Sequence, residues 1–275
     1  MKVSRREFVS TASCAAAASL CALPSSALAA SSSPTKVEPR FTLLNLESNC
    51  ALPESLAGMQ AALGDSHHSV LESEFGFGQL TASLTSLGTN GRLVIVPAAG
   101  AVKRATFGAV AELLDAGATV LWESGAAFIN SADFAQQQAM TEKYFGISIA
   151  QPVHVWSQSN SPKSKSAVSM QNARSTRAIG HEQIPYVAYR WPLQAHVRDF
   201  SRVIQVSAAS GHAIAHWGEA PVAWRKKVGA GSLIFLGSPL GPALGSGDTE
   251  ANTLFQSITS KERVFLSHRT SAILL

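Results

Sequence analysis

The sequence predicts an α/β fold in which a mostly parallel sheet carries helices on both faces and ends in a C-terminal β-hairpin. Two observations support this prediction. Short apolar runs without polar alternation, such as RLVIVP at residues 92–97, are typical of strands that are buried on both faces of a sheet. These runs alternate along the chain with segments whose apolar residues recur at helical spacing. The alternation favours right-handed crossovers between parallel neighbours.

The first half of the chain supplies most of the alternating elements. FTLLNL at residues 41–46 is a compact apolar strand. LPESLAGMQAAL at residues 52–63 has helical spacing, and Pro53 stands where a first helical turn tolerates proline. The remaining predicted elements of this half are a strand at 92–97, a helix at 106–116, a strand at 118–122 and a helix from 125 to 144.

The last third consists of short strand-like runs separated by turns that contain glycine. VGAGS at residues 228–232 predicts a hairpin between the runs on either side of it. A final helix is predicted at 250–259, with Asp248 or Thr249 as its N-cap. The predicted strands of this region are 203–206, 212–217, 221–228 and 232–237.

A polar insertion is predicted near residues 157–185. Its 157–177 segment is irregular and basic, with lysines and arginines but no aromatic residue between them. It is either a solvated loop or a loop that binds phosphate or a polyanion.

The N-terminus has the order of features of an export signal. SRREF at residues 4–8 matches the twin-arginine pattern, a weakly apolar run follows, and ALA at residues 27–29 is a small-x-small cleavage site. We therefore expect a twin-arginine signal peptide at 1–29, a linker at 30–40 and one α/β domain at 41–275. The expected location is periplasmic or secreted, with the twin-arginine export machinery as a partner. The sequence leaves open whether the signal is cleaved or retained as an anchor.

Charge and cysteine usage limit the classes of partner. Of the 22 basic and 18 acidic residues, three basic and one acidic residue lie in the signal, so the mature chain is close to neutral. This gives no case for a nucleic acid partner, and no membrane span is expected in the mature chain. Cys50 is the only cysteine outside the signal, which excludes an intrachain disulfide and a metal site built on cysteines. We expect no cofactor and no metal, and the oligomeric state is not indicated.

Three segments together resemble a known family. They are RLVIVPAAG at 92–100, LLDAGATVLWESGAAF at 113–128 and VAWRKKVGAGSLIFLGSPLG at 222–241. They resemble the class I glutamine amidotransferase-like fold, and more narrowly its non-catalytic relatives, such as the trimerisation domain of certain β-galactosidases. The resemblance covers about residues 41–258 and implies a flavodoxin-like sheet.

The same resemblance implies that amidotransferase chemistry is absent. Catalytic members carry a cysteine on the turn after the strand that matches 118–122, where this chain has Glu123, Ser124 and Gly125. They also carry a histidine, followed closely by a glutamate, after the last core strand, where this chain has Gly237 and Ser238. Without a thiol and its base, glutamine hydrolysis is not expected.

Polar residues at predicted strand ends are the candidate site residues. Glu123 and Ser124 are the candidate catalytic groups, and Glu47, Glu123, Ser124 and Ser238 are the candidate ligand-binding residues. Ser124 is a helix cap, a ligand contact or a nucleophile; Trp122 replaces the first glycine of a nucleophile elbow. Glu47 and Glu123 are either an acid–base pair at the carboxyl ends of two strands or solvated strand ends.

Three further patterns allow a functional and a structural interpretation. His212 and His216 have a metal-ligand spacing for a helix, but on a strand they stand about 13 Å apart. The glycine-rich loop at 237–247 either cradles a phosphate or turns the chain into the last helix. The segment 186–199 brings together aromatic and arginine side chains that suit sugar or partner contacts, or ordinary packing. These side chains are Tyr189, Arg190, Trp191 and Arg198.

The function that these observations favour is binding or assembly, with a small-molecule or sugar ligand suggested by analogy of fold alone. The alternative is a periplasmic hydrolase that uses Glu123 or Ser124. A third hypothesis is a module that pairs with another exported protein.

Overall fold

A computed structural model describes residues 41–44, 53–64, 68–71, 93–99, 102–124, 131–154, 176–179, 182–198 and 202–271. All of these residues belong to one compact unit, Glu38–Leu275. The predicted signal peptide and linker lie outside the described residues, as does most of the polar insertion.

Strands and helices alternate in the first half of the described chain, and strands predominate in the second half. The helices are α1 (Pro53–Leu63), α2 (Arg104–Asp115), α3 (Ser131–Phe145), α4 (Gly241–Gly245) and α5 (Thr249–Ser271). The strands are β1 (Phe41–Leu44), β2 (His68–Leu71), β3 (Leu93–Val96), β4 (Thr119–Glu123), β5 (Ser148–Ile149), β6 (Val153–His154), β7 (Thr176–Ile179), β8 (Glu182–Tyr189), β9 (Ala195–Arg198), β10 (Arg202–Val203), β11 (Val206–Ser207), β12 (His212–Trp217), β13 (Ala220–Val228) and β14 (Gly231–Leu236).

Ten of these strands form one sheet with a parallel half and an antiparallel half. The parallel half has the order β2-β1-β3-β4-β14, which is the 2-1-3-4-5 order of flavodoxin-like sheets. From β14 the sheet continues antiparallel through β13, β12 and β8, with β7 and β9 both paired to β8. The predicted α/β class is confirmed, and the antiparallel part is larger than the single hairpin expected from the sequence.

The central strands are buried on both faces because successive residues alternate between two hydrophobic cores. One core lies between the sheet and α1, α4 and α5, and the other lies between the sheet and α2 and α3. From β3, β4 and β14 the first core receives Leu93, Ile95, Leu121, Ile234 and Leu236, and the second receives Val94, Val96, Val120, Trp122, Leu233 and Phe235. The predicted placement of helices on both faces is therefore confirmed.

A cluster of aromatic side chains, Phe107, Trp122 and Phe145, lies in the second core. The ring of Trp122 lies 4.9 Å from that of Phe107 on α2 and 5.1 Å from that of Phe145 on α3, measured between centroids. Ring pairs at these separations add to the stabilisation that burial provides. They fix both helices against the end of β4, directly beside Glu123.

Two local predictions for the C-terminal third are confirmed. The β13–β14 hairpin closes at Val228 opposite Gly231. The carboxylate of Asp248 accepts hydrogen bonds from the N–H groups of Glu250 and Ala251, each 3.0 Å long, so Asp248 is the N-cap of α5. None of the helices within the described ranges is long and apolar enough to cross a bilayer.

Candidate functional site

The candidate site lies at the carboxyl ends of β3, β4 and β14, the edge where open α/β sheets bind their ligands. Glu123 is the last residue of β4 and stands opposite Leu236, the last residue of β14. The turn after β3 lies on the other side of Glu123, because the N–H of Ala99 donates to the Glu123 carbonyl over 2.6 Å. Two loops therefore close over the end of β4.

The carboxyl group of Glu123 is completely buried and accepts three backbone hydrogen bonds. Oε2 accepts the N–H of Ala98 at 2.7 Å. Oε1 accepts the N–H groups of Leu240 and Gly241, the latter at 2.8 Å. One side chain thus joins the turn after β3 to the start of α4, and each donor finds an acceptor that its buried N–H group requires.

Ala98 adopts an unusual backbone conformation in making this contact. Its φ of +42° lies in the left-handed region, which side chains with a Cβ rarely adopt. Strain of this kind persists only where the surroundings enforce it. Here the enforcing contacts are the Ala98 N–H bond to the carboxyl group and the Ala99 N–H bond to the main chain of Glu123.

Two opposing effects act on the pKa of Glu123. Burial raises the pKa above the ordinary value of 4.5, because it penalises the charged form. Hydrogen bonds from the backbone of Gly241, Ala98 and Leu240 lower it, without cancelling the effect of burial. The hydroxyl of Ser55 on α1 also lowers it, which places that group beside the carboxyl. Ser55 Oγ is buried and has no partner that meets hydrogen-bond geometry, so we regard this contact as close but poorly aligned.

Glycines allow α1 and α4 to approach closely enough to complete the site. A Cβ added at Gly58 would collide with the carbonyl oxygen of Gly241 and lie 2.8 Å from the backbone nitrogen of Gly245. A Cβ added at Gly241 would collide with the backbone of Ser55. The packing of these two helices therefore determines where the Gly241 N–H and the Ser55 hydroxyl stand.

Of the other predicted strand-end residues, the structure describes Ser124 and Ser238 but not Glu47. Ser124 is buried, and its N–H donates to the Leu236 carbonyl at 2.7 Å. The described part of α3 begins at Ser131, so the capping role of Ser124 stays a prediction. Ser238 is buried two residues beyond β14. Glu47 lies outside the described residues, and so does any pairing of it with Glu123. The structure brings Glu123, Ser124 and Ser238 to adjoining strand ends.

The glycine-rich loop at 237–247 has one of the two roles that its sequence suggested. It turns the chain into α5 through the short helix α4. Its N–H groups at Leu240 and Gly241 donate to the carboxyl of Glu123, and phosphate binding by this loop stays a prediction. Ser55 and Ala98 were missed by sequence analysis, because neither residue type nor spacing distinguishes them from scaffold.

The histidines of the antiparallel half do not form a metal cluster. His212 and His216 lie on β12, as their strand-like context predicted. Within the described residues no group of three or more potential metal ligands occurs. Burial and the nearby Arg190 guanidinium lower the pKa of His216, and Glu219 partly opposes this.

The aromatic and arginine residues of segment 186–199 lie mainly on a hairpin that sequence analysis had not predicted. Tyr189 is buried in the first core, while the guanidinium of Arg225 lies 4.6 Å from the centroid of the partly exposed Trp191 ring. Arg198 pairs with Asp248 at 3.7 Å. Burial in the core therefore accounts for Tyr189 and an ion pair accounts for Arg198, while Trp191 keeps part of its surface in solvent.

Comparisons with known proteins show a likeness of fold. No family model matches the chain, and no curated protein matches it either. A β-galactosidase from Rahnella sp. R3 is similar over 82% of this chain and 32% of its own length, with 12% identity and a TM-score of 0.51. An α-L-fucosidase from Paenibacillus thiaminolyticus covers 84% of this chain and 33% of its own, with 10% identity and a TM-score of 0.48. A cytoplasmic protein from Salmonella typhimurium LT2 is similar over 80% of this chain and 98% of its own, with 8% identity and a TM-score of 0.47.

The chain thus spans about a third of the length of the glycosidases that it matches. At these identities the similarity concerns the fold. The sequence resemblance to a β-galactosidase domain agrees with the Rahnella structure at that level.

Proposed function

We propose that this chain is an exported α/β protein of amidotransferase-like fold that acts by binding or assembly rather than by catalysis, in a carbohydrate-related role. The expected location is periplasmic or secreted through the twin-arginine pathway. The expected ligand is a small molecule of the sugar class.

The observation that carries this proposal is the state of Glu123. In the family that the sequence resembles, the catalytic cysteine occupies the turn that Glu123 begins in this chain. Here the carboxyl is 0% exposed and already accepts three backbone hydrogen bonds. A group saturated in this way stabilises loops and has no free face for a substrate.

The carbohydrate part of the proposal is supported by the β-galactosidase of Rahnella sp. R3. The fold of one third of that enzyme is similar to most of this chain. Fold alone does not carry an activity from one protein to another. The sugar class is therefore the first ligand class to test.

The hydrolase alternative is favoured by one observation, the raised pKa of a buried carboxyl at a strand end, which is a frequent property of catalytic acids. It would require the loops that cover Glu123 to open, because a general acid must come within about 3 Å of the group that it protonates.

Parallel binding and hydrolysis assays on the mature protein test these two functions. Lactose and galactose are titrated by calorimetry, p-nitrophenyl β-galactoside and p-nitrophenyl acetate are offered as substrates, and light scattering gives the mass. We expect saturable sugar binding without turnover. Turnover that disappears in folded Glu123→Gln or Ser124→Ala, but not in Glu112→Gln on the surface of α2, would establish the hydrolase. Absence of sugar binding would overturn the carbohydrate role.

A further inference from the structure

We propose that the backbone around Glu123 is a preformed carboxylate-binding cradle, which the native chain fills with its own side chain. Three N–H groups, from Ala98, Leu240 and Gly241, converge on one carboxyl group from two separate loops. The ligand class of the cradle is a small monocarboxylate. This proposal does not rest on the sugar role and goes beyond it.

The donors are held in place by contacts that do not involve the side chain of Glu123. The turn that carries Ala98 is fixed by the main-chain bond from the Ala99 N–H to the Glu123 carbonyl. Leu240 is fixed by the bond from the Leu244 N–H to its carbonyl, and Gly241 by its close packing against Ser55 of α1. Removing the carboxyl leaves these three contacts in place, although Ala98 loses one of the two bonds that hold its φ at +42°.

The buried hydroxyl of Ser55, beside the carboxyl, gives a second indication of a ligand position. Its hydroxyl is completely buried, has no hydrogen-bond partner of good geometry, and adjoins the carboxyl of Glu123. A buried hydroxyl without a partner is costly. A free carboxylate, unlike the tethered one, can shift to satisfy Ser55 together with the three N–H groups.

The arrangement of the donors favours an anion with two acceptor oxygens, such as a carboxylate, over a halide. The N–H groups of Leu240 and Gly241 donate to one oxygen, and that of Ala98 donates to the other. A ligand must therefore present two acceptor oxygens to these three donors. A spherical halide ion lacks the second acceptor. Charge-assisted bonds from backbone N–H groups are stronger than neutral ones.

The length of the Glu123 side chain sets the size of the ligand for each variant. Glu123→Ala removes one methylene and the carboxyl group, which together have the heavy atoms of acetate. Glu123→Gly removes one carbon more, which corresponds to propionate. The two variants should therefore prefer different acids, and this separates occupancy of the cradle from a general effect of salt.

The experiment measures thermal unfolding of the full chain in sodium acetate, formate, propionate and chloride at equal pH and ionic strength. A ligand that binds only the folded state raises the melting temperature in proportion to the logarithm of its concentration. We expect acetate to stabilise Glu123→Ala more than formate or propionate does, and propionate to stabilise Glu123→Gly most. The wild type and Glu112→Ala should melt at the same temperature in acetate and in chloride.

Equal melting temperatures of Glu123→Ala in acetate and chloride would overturn the cradle, as would the same order of acids for both variants. If Glu123→Ala does not fold by itself, the refolding yield from denaturant replaces the melting temperature. Recovery in acetate but not in chloride supports the cradle, and equal failure in both salts overturns it. None of these outcomes bears on sugar binding by the wild type.

Discussion

At the scale of single residues, the carboxyl group of Glu123 experiences burial and hydrogen bonding in opposite directions. Three backbone donors favour its charged form, while the absence of solvent favours its neutral form. Burial is the larger effect, so the folded protein holds the proton more tightly than the unfolded chain does. The stability of the protein should therefore respond to pH through this group, among others.

The difference in unfolding free energy between the wild type and Glu123→Gln isolates that response. Because the folded pKa lies above 4.5, the contribution of Glu123 is fully present below about pH 4.5 and is lost as the pH rises through the folded pKa. The limiting slope is about −1.4 kcal/mol per pH unit. Urea unfolding of both proteins between about pH 4 and pH 9 measures it. A difference that stays constant or increases over this range would contradict the raised pKa.

Gly58 permits a second prediction at this scale. Glycine is required here because a Cβ would collide with Gly241 on α4, so Gly58→Ala should destabilise the protein by about 1–3 kcal/mol or more through overpacking. The matched control is Gly108→Ala on α2, where an added Cβ meets nothing within 4 Å. That substitution should stabilise the protein by roughly 0.5–1 kcal/mol, because alanine favours helix. Denaturant unfolding of the two variants measures both effects, and equal effects would contradict the close approach of α1 and α4.

At the scale of elements, α5 is attached to the antiparallel half through its first turn. Asp248 caps the helix and pairs with Arg198 of β9. In the same turn, Glu250 Oε2 accepts the N–H of His196 over 2.6 Å. This bond satisfies a backbone donor of β9. The first turn of α5 therefore stabilises both the start of this helix and the position of β9.

Substitutions at Asp248 separate the cap from the ion pair. Asp248→Ala removes both the cap and the ion pair. It should lower the free energy of unfolding by about 0.5–2 kcal/mol, mainly through loss of the cap. Asp248→Asn keeps an acceptor for the N–H groups of Glu250 and Ala251 and removes only the charge. It should lower the free energy of unfolding by under about 1 kcal/mol, because the Arg198 side chain of the pair is 46% exposed. Unfolding free energies measure both, and a larger loss in the Asn variant would mean that the ion pair dominates.

Elements were predictable where local pattern determines them. The strands β3, β4 and β14 are continuous apolar runs, and the β13–β14 turn is marked by glycines, so each was found from sequence. The β8–β9 hairpin was missed because Pro185 and the mixture of aromatic and charged residues obscure its alternation. The described start of α3, Ser131, lies beyond the residue 125 that was predicted.

The contacts of the site were not predictable from spacing. The apolar run before Glu123 predicts that this residue ends a buried strand, and the structure confirms it. Its donors lie 25, 117 and 118 residues away along the chain, and backbone N–H groups have no residue type that would reveal them. Only the sheet order, which places β3 and β14 on either side of β4, brings them together.

At the scale of the whole molecule, the proposed export signal is the property most open to direct test. Replacing Arg5 and Arg6 by lysine keeps the charge but removes the paired arginines of the SRREF pattern. In a bacterium with a twin-arginine translocase, the wild type should leave the cytoplasm and the double variant should remain there. Cell fractionation measures this, with Lys2→Arg as a control that leaves the pair intact. Equal export of the double variant would contradict the twin-arginine assignment.

The indole of Trp122, beside the site, can serve as an intrinsic fluorescence probe. Trp122 is 1% exposed and packed between Phe107 and Phe145, so its fluorescence should be emitted at short wavelength. Trp191 and Trp224 retain contact with solvent and should emit at longer wavelength. Because Trp122 immediately precedes Glu123, opening of the strand end should shift its emission to the red before the rest of the molecule unfolds. A variant that keeps Trp122 and carries phenylalanine at the other four tryptophan positions would allow events at the carboxyl ends of the sheet to be followed in time without any added label.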